Sequence, residues 1–392
     1  MSDGISNVSA RKVGLFTSGR QDIGYLMPVA QAVRQQPGLE LTVFVSGTHL
    51  LETYGATGET FRRQDMACVD VPMIAEPSSW DGQIGPNQLA RLSASLAAAL
   101  AANPVDVMVF LGDRIETLQA AVLAIADRRF IAQVHAGDRA PGDFDDANRH
   151  AISKLAHVHF AATAGAAERL IRMGENPDRV HHVGSPGIDS ILGEPLPDDA
   201  AARRAVGLPA EAPFVVLLQH PCGQEETKER EDAQAICQAI VDSGLTALCL
   251  EPNADPHRQI VMAVCRDFSR QHNWPILPNV ERRIFLRLIR SAVALVGNSS
   301  SGMIESAAVG AVTLNVGRRQ QGREHSANVI HLPADRAEIG RWLVRLREDS
   351  ALAASYRSAT CIFGDGRAAR RIAEVLARME LSAARRVKLN EY

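Results

Sequence analysis

Short apolar runs rich in Val, Leu and Ile alternate along the chain with amphipathic stretches of helical period. A continuous apolar run bounded by turn residues is typical of a parallel strand buried on both faces, and the stretches between the runs are long enough for covering helices. The pattern predicts strands at 12–17, 41–46, 67–71, 106–111, 130–134, 158–161 and 180–183, then at 214–218, 247–251, 276–277, 292–296 and 313–316. This alternation indicates an α/β fold with parallel sheets.

Glycine and proline are concentrated between residues 184 and 213, where the alternation of strands and helices is interrupted. We interpret this segment as a linker that has room for a short helix at 198–206. Because 392 residues exceed the roughly 250–300 that one hydrophobic core serves, two domains are expected. The prediction is two doubly wound, Rossmann-like domains facing a cleft, at 1–188 and 189–367. The remaining segment, 368–392, is predicted to cross back to the first domain and to contain a helix from 368 to about 384.

Composition narrows the class of protein. Hydrophobic residues make up 46% of the chain and charged residues 22%, which is typical of a globular fold. The net charge of −3, from 42 basic and 45 acidic residues without long like-charge runs, argues against nucleic-acid binding. No apolar stretch approaches the roughly 20 residues of a membrane helix. The six cysteines form no CxxC pair, which predicts reduced thiols in a cytoplasmic protein, and neither a metal site nor a cofactor is expected.

Polar residues follow the predicted strands of the first domain, where ligands bind in parallel sheets. The turn at 17–24 offers Arg20 and backbone N–H groups to a diphosphate, although a plain strand-to-helix turn would look the same. Asp113 and Glu116 come directly after the strand at 106–111. Asp113 is a candidate catalytic carboxylate, and its alternative role is the N-cap of the following helix.

A second acidic group follows the strand at 130–134. His135 and Asp138 end that strand, and Asp145 and Arg149 lie just beyond a short loop. A buried core would not accept so many unpaired charges, so a site is favoured. Ordinary pairing one helical turn apart, among Asp145, Arg149 and Lys154, is the alternative explanation.

In the second domain, His220 follows the strand at 214–218, although a lone histidine is more often structural than catalytic. The sharpest signal follows the strand at 292–296, where small polar residues allow a diphosphate to approach the backbone closely. That group is Ser299, Ser300, Ser301 and Gly302. Glu305, one turn later, is placed to accept hydrogen bonds from ribose hydroxyl groups. A serine N-cap explains part of the pattern. Arg319 lies in the basic loop at 317–323, which contacts the ligand, gates the cleft or is simply a basic surface loop.

Together these stretches resemble the hydrolysing UDP-N-acetylglucosamine 2-epimerases of sialic and legionaminic acid biosynthesis, in the two-Rossmann-domain, glycosyltransferase-B-like superfamily. The resemblance spans nearly the whole chain in family order. Its most specific parts are at 149–155 and 297–302. The matching stretches are 17–24, 45–49, 111–116, 135–138, 145–155, 184–189, 253–255, 297–305 and 315–322.

The resemblance implies elimination of a nucleoside diphosphate, UDP or GDP, to give a glycal-like intermediate, then addition of water to release a C2-inverted sugar. Developing oxocarbenium charge at the anomeric carbon explains the need for carboxylates. The implied catalytic residues are Asp113, Asp138, Asp145 and His220. The implied substrate-binding residues are Arg20, Glu116, His135, Arg149, Asn253, Ser299, Ser300, Ser301, Gly302, Glu305 and Arg319. A homo-oligomer, dimer or tetramer, is also implied.

One position departs from the family pattern, since Asp138 stands where the family usually has glutamate. The carboxylate is one methylene shorter, and a positional change near 1 Å can cost on the order of a hundredfold in rate. The alternatives that remain open are a glycosyltransferase of the same architecture, a hydrolase or lyase on an unusual nucleotide-linked sugar or nucleoside, and a catalytically silent nucleotide-sugar binding protein.

Overall fold

A computed structural model describes residues 10–75, 80, 83–139, 144–252 and 257–391 of the chain. They fold into two compact units. The first unit consists of the residues up to Ser190 together with those from Phe363 onward, and the second unit is Ile191–Ile362. The described residues contain no helix long and apolar enough to cross a membrane.

Thirteen strands lie within the described residues, and every pairing between them is parallel. In chain order they are β1 Arg11–Thr17, β2 Leu39–Ser46, β3 Cys68–Val71, β4 Val107–Leu111, β5 Phe130–Val134, β6 Val158–Ala161, β7 Val180–His182, β8 Phe214–Leu218, β9 Thr246–Leu250, β10 Ile276–Leu277, β11 Leu295–Gly297, β12 Thr313–Val316 and β13 Val329–Leu332. The predicted α/β class with two doubly wound parallel sheets is confirmed.

The helices connect and cover these strands. They are α1 Ile23–Gln35, α2 Glu59–Arg62, α3 Pro86–Ala102, α4 Ile115–Ala126, α5 Asp145–Leu155, α6 Ala164–Arg172, α7 Pro186–Leu192, α8 Asp199–Ala205, α9 Glu226–Asp242, α10 Arg258–His272, α11 Arg282–Ser291, α12 Ser300–Ile304, α13 Arg336–Glu348, α14 Ser350–Arg357, α15 Ala368–Arg378 and α16 Ala383–Arg386.

Both sheets have the same winding. The first has the order β3-β2-β1-β4-β5-β6-β7 and the second has β10-β9-β8-β11-β12-β13. In each sheet the chain winds outward one way from the first strand and then returns to its other side. The switch point therefore lies between β1 and β4 in the first unit and between β8 and β11 in the second. Parallel sheets of this winding bind ligands beyond the carboxyl ends of the two strands that flank the switch point.

Three predictions of local structure are corrected. β13 at Val329–Leu332 is missing from the prediction, because it follows a long polar loop that hides the return to a strand pattern. In the proline- and glycine-rich segment at 184–213, the short helix predicted at 198–206 is confirmed as α8, but α7 at Pro186–Leu192 is a helix where the pattern predicts a loop. The last helix is not continuous to residue 384, because α15 ends at Arg378 and α16 begins at Ala383.

The returning C-terminal part completes the core of the first unit. α15 packs against α1, and its apolar residues Ile372 and Leu376 are fully buried with Leu26 and Val29 of α1. The two connections to the second unit run side by side where they leave the first, since the Ser185 N–H donates to the Phe363 carbonyl at 2.6 Å.

Candidate active site

The loops after β1 and β4, at the switch point of the first sheet, form one buried polar network. Arg114 is its hub: its Nη2 donates to Asp22 Oδ2 at 2.7 Å and to Ser18 Oγ at 2.9 Å, and its Nε lies 3.2 Å from Glu116 Oε1. Ser18 Oγ also donates to Glu116 Oε1 at 3.0 Å. Glu116 is 5% exposed, so its carboxylate holds these two loops together.

A cavity of about 640 Å³ borders this network. Its volume lies in the range of small-molecule sites. Arg20 is exposed along the cavity, on a single turn of 3-10 helix after β1, and is placed to reach a ligand there. The other lining residues include Ser18, Gln21, Thr48, Tyr54, Trp80, Arg114 and Glu116.

His49 belongs to the same region, although the sequence alone does not single it out. It is 1% exposed, with Nε2 2.8 Å from Thr17 Oγ1 and Nδ1 2.8 Å from Thr57 Oγ1. Burial lowers the pKa of His49 to about 4, against the opposing charge of Asp22. His49 is therefore neutral at pH 7 and supports the loop after β2.

Two of the predicted carboxylates lie near Arg149: Asp113 follows β4, and Asp138 follows the next strand of the sheet, β5. The Arg149 Nη2 donates to Asp113 Oδ2, and its Nη1 donates to the His135 carbonyl at 2.8 Å. Arg149 is 8% exposed on α5, and Gln133 Nε2 donates to the Arg149 carbonyl at 3.0 Å. Arg114, and not Asp113, is the N-cap of α4, so the capping explanation for Asp113 is not supported.

His135 is held between Asp138 and Ser185. Its Nδ1 lies 2.6 Å from Asp138 Oδ2 and its Nε2 lies 2.9 Å from Ser185 Oγ, while Tyr25 meets the ring edge-on at 5.1 Å between centroids. The backbone of His135 has φ +58°, a strained conformation for a residue with a side chain. Such strain persists only where neighbours hold it. Ser185 is fully buried.

Asp138 is held as an anion. Burial would raise the pKa of its carboxyl, but His135, then Arg149 and Arg169, outweigh burial and lower the pKa below the usual value. Its second oxygen, Oδ1, is buried and has no hydrogen-bond partner within the described part of the chain. A buried carboxylate oxygen without a donor is an acceptor available to a ligand.

Asp145 begins α5, one turn before Arg149, and is exposed. The predicted helix start near Asp145 is thus confirmed. The pairing expected along α5 does not account for Arg149 and Lys154, since Arg149 pairs with Asp113 and Lys154 with Glu175, at 3.1 Å from Oε1.

In the second unit, the ends of β8 and β11 are joined by one amide side chain. Asn298 Oδ1 accepts from the His220 N–H at 2.7 Å and Asn298 Nδ2 donates to the His220 carbonyl at 2.8 Å. Both residues are almost fully buried. The backbone of His220 is therefore fixed at the strand end.

The serine-rich turn follows directly. Ser299 is the N-cap of α12, where its Oγ accepts from the Ser301 N–H at 3.3 Å, so the capping explanation holds for this residue. Ser300 and Ser301 are half-buried and Gly302 is buried beneath them. The Glu305 carboxylate accepts from Arg282 Nη2 at 2.9 Å.

The basic loop contributes to the same turn, since Gln320 Nε2 donates to the Asn298 carbonyl at 2.8 Å and Arg319 Nη1 does so at 3.3 Å. Arg319 thus reaches the predicted diphosphate turn. Asn253 lies outside the described residues. Among the described residues no cluster of His, Cys, Asp or Glu is arranged to hold a metal.

The structure thus places some of the predicted residues at the switch points of two doubly wound sheets, and His135 and Asp138 at the end of the neighbouring strand β5. Proteins of this architecture bind nucleotides and their conjugates at such switch points. The family model for UDP-N-acetylglucosamine 2-epimerase matches residues 31–377, and the chain belongs to that family of enzymes. The resemblance seen in the sequence is confirmed.

Two relatives are similar over most of their length. The UDP-N,N′-diacetylbacillosamine 2-epimerase (hydrolyzing) of Legionella pneumophila is 32% identical over 386 residues, 97% of this chain and 100% of that protein. The UDP-N-acetylglucosamine 2-epimerase of Neisseria meningitidis is 28% identical over 327 residues, 82% of this chain and 83% of that protein.

A solved structure shows the same fold. The Neisseria meningitidis UDP-GlcNAc 2-epimerase bound to UDP-GlcNAc superposes with a TM-score of 0.77 at 16% identity, covering 94% of this chain and 100% of that one.

Proposed function

We propose that this protein is a hydrolysing nucleotide-sugar 2-epimerase that takes a UDP-linked 2-acetamido sugar and releases UDP and the free C2-inverted sugar. The observation that carries the proposal is the group of Asp113, Arg149, His135 and Asp138 beyond the ends of β4 and β5, beside the switch point of the first sheet. It occurs in a chain similar over nearly its full length to the hydrolysing Legionella enzyme.

In the proposed reaction, the bond between the anomeric carbon and the UDP oxygen breaks first, and UDP keeps the electron pair. The positive charge that develops at the anomeric carbon makes the C2 proton acidic, so that even a weak base can remove it. Asp138 fits this role, because it is held as an anion and its Oδ1 has no donor among the described residues. The product of this half is a glycal.

In the second half, water adds its oxygen to the anomeric carbon and a proton returns to C2 from the opposite face. Asp113 and Asp145 are proposed for these proton transfers. His135 and Arg149 keep the carboxylates in place, since Arg149 binds both Asp113 and the His135 backbone. Fixed charges aimed at the developing oxocarbenium stabilise it without reorganisation.

The second unit is proposed to take the diphosphate. The Ser299–Gly302 turn offers hydroxyl and N–H groups, and Arg319 adds positive charge beside it. His220, Glu305, Arg20 and Asn253 are proposed as further contacts to the nucleotide or the sugar. Glu116 is proposed to act through Ser18 and Arg114, which already engage its carboxylate.

The experiment is a substrate panel followed by proton NMR in D₂O. UDP-N-acetylglucosamine, its GDP counterpart and UDP-N,N′-diacetylbacillosamine are supplied without any acceptor. The expected result is release of nucleoside diphosphate from at least one UDP-sugar, together with a free sugar that is inverted at C2 and carries deuterium there. A free sugar with unchanged C2 configuration, or release that requires an acceptor, would reject the proposal.

We further propose that the chain works in the cytoplasm as a homo-oligomer. All six cysteines are free thiols in the structure, which suits a reducing compartment. Light scattering on the purified protein measures the assembly, and a monomer at micromolar concentration would reject that part.

A further inference from the structure

The C-terminal residues 387–391, here called the C-terminal strap, lie across the first unit on polar contacts. Arg179 Nη2 donates to the Val387 carbonyl at 3.0 Å, Lys154 Nζ donates to Asn390 Oδ1 at 3.0 Å, and the Glu391 N–H donates to the Gly174 carbonyl at 2.9 Å. The apolar side chains of the strap face solvent: Val387 is 60% exposed and Leu389 is 74% exposed. The strap therefore adds little apolar burial to the fold.

Lys388 is the inward-pointing residue of the strap. Its Nζ lies 2.6 Å from Glu175 Oε2, and Glu175 is 1% exposed and also 2.8 Å from His159 Nε2. Burial alone would raise the pKa of Glu175, but its hydrogen bonds to His159 and Lys388 lower it to about 2. Burial lowers the pKa of Lys388 to about 8, so at pH 7 the pair is mostly ionised.

The same ammonium group binds the C-terminal end of α5. Lys388 Nζ donates to the Ser153 carbonyl at 2.5 Å and to the Ala156 carbonyl at 2.7 Å. The last carbonyls of a helix lack the regular partner four residues further on, and a cation there is favoured by the helix dipole. The strap thus fixes one end of α5 with charge-assisted hydrogen bonds.

A continuous buried chain of hydrogen bonds leads from that end of α5 to the carboxylates. Ser153 Oγ donates to Gln133 Oε1 at 2.7 Å, and Gln133 Nε2 donates to the Arg149 carbonyl at 3.0 Å. Arg149 in turn binds Asp113 and the His135 carbonyl. Ser153 and Gln133 are fully buried.

We propose that Lys388 is a positioning residue for the carboxylate site: by holding the C-terminal end of α5, the C-terminal strap fixes Arg149 and thereby Asp113 and His135. This inference rests on the proposed function. Displacement of catalytic groups by about 1 Å costs on the order of a hundredfold in rate, so a strap contact far from the chemistry controls kcat.

The test compares Lys388→Met, Lys388→Arg and a matched control, Arg385→Met, in the full chain. Arg385 is exposed on α16 and lies 3.4 Å from the exposed Glu380. For Lys388→Met we expect kcat to fall roughly 10- to 100-fold with KM within about twofold, because the nucleotide contacts of the second unit are untouched. Lys388→Arg should recover most of kcat, and Arg385→Met should match the wild type.

Hydrogen–deuterium exchange gives a second readout that needs no turnover. In Lys388→Met, peptides covering 145–156 should exchange faster while peptides of β8 and β11 stay unchanged. The inference is wrong if the hydrogen–deuterium exchange rate of the α5 peptides does not change. It is also wrong if that rate changes while kcat stays within twofold of the wild type. A rise in KM by as large a factor as the fall in kcat also overturns the inference.

Glu175→Gln covers the case in which Lys388→Met does not fold. The amide removes the charge attraction for Lys388 while keeping hydrogen-bonding capacity, and should lower kcat in the same direction by a smaller factor. A wild-type kcat for Glu175→Gln would then reject the inference. If the wild type itself turns over no nucleotide-sugar, the proposed function fails, and the exchange data still decide whether the strap orders α5.

Discussion

The two switch-point sites are built from different chemistry. In the first unit the loop ends are joined by ion pairs, with Arg114 on Asp22 and Glu116, and Arg149 on Asp113. In the second unit the ends of β8 and β11 are joined by a neutral amide, since Asn298 bridges both backbone groups of His220. Gln320 donates to the Asn298 carbonyl at 2.8 Å, and Arg319 donates to it at 3.3 Å.

The difference follows from what each site is proposed to meet. Charge that develops and vanishes during a reaction is stabilised by fixed charges of opposite sign. A permanent anion such as a diphosphate is bound by N–H groups and needs a backbone of fixed shape, which neutral cross-links supply without adding a competing carboxylate. The comparison predicts that charge changes damage the first site and shape changes damage the second.

The largest effect is expected from Asp113→Asn. Loss of this carboxylate should lower kcat by about a thousandfold, since it removes one proton-transfer group and the charge that Arg149 binds. UDP affinity, measured by calorimetry, should stay within threefold. Asp127→Asn, at an exposed carboxylate beyond α4, should behave like the wild type. A loss of UDP affinity that parallels the loss of kcat would contradict the proposal that the first unit catalyses the reaction while the second unit binds the diphosphate.

Gly297→Ala tests shape in the second unit. Gly297 has φ +128°, and a Cβ there would lie 2.1 Å from the Leu218 carbonyl oxygen. We expect the free energy of unfolding to fall by about 3 kcal/mol or more, measured by urea denaturation. The control is Gly207→Ala, where φ is +75° with no heavy atom within 4 Å of the added Cβ, and the expected loss is about 1 kcal/mol. Equal losses would show that the close approach does not matter.

Acid sensitivity should be concentrated in the first unit. Burial lowers the pKa of His157 to about 4, and its Nδ1 accepts from the Ile131 N–H at 3.0 Å. The unfolded chain takes up this proton near pH 6.5, so the stability from a neutral His157 is lost as the pH falls from about 6.5 towards 4. Between pH 7 and pH 5 one such histidine accounts for roughly 2 kcal/mol.

His157→Asn keeps an acceptor for the Ile131 N–H and removes the titration. The stability difference between pH 7 and pH 5, from urea midpoints, should therefore shrink by about 2 kcal/mol. His272→Asn, at an exposed histidine that ends α10, should leave the difference unchanged. An identical pH dependence in His157→Asn and wild type would contradict the prediction.

The smallest effect is expected from Asp138→Glu, which restores the usual family residue. The aspartate already reaches His135 Nδ1 at 2.6 Å, so an added methylene displaces the carboxylate within a loop that fits the shorter side chain. We expect kcat to fall about tenfold with UDP affinity unchanged. An increase in kcat would show that the loop is not adapted to aspartate.

The strand ends could be predicted from sequence because an apolar run followed by charged residues marks them directly. Asp113, Asp138 and His220 all lie where that pattern places them. Contacts between different strand ends could not be predicted: Arg114 and Asp22, for example, are distant in sequence and meet only through the order of the strands. Asn298 lies within the motif at 297–302, but its bridge to His220 depends on the pairing of β8 with β11.

α15 covers α1 but follows the whole of the second unit in sequence, so the first unit is discontinuous along the chain. During synthesis on the ribosome, the apolar face of α1 stays uncovered while more than 170 residues emerge. The second unit can finish folding before the first, because α15 of the first unit is synthesised only after the whole of the second unit. A nascent chain of this kind carries exposed hydrophobic surface for most of its synthesis, which makes it a natural client of chaperones that bind such surfaces.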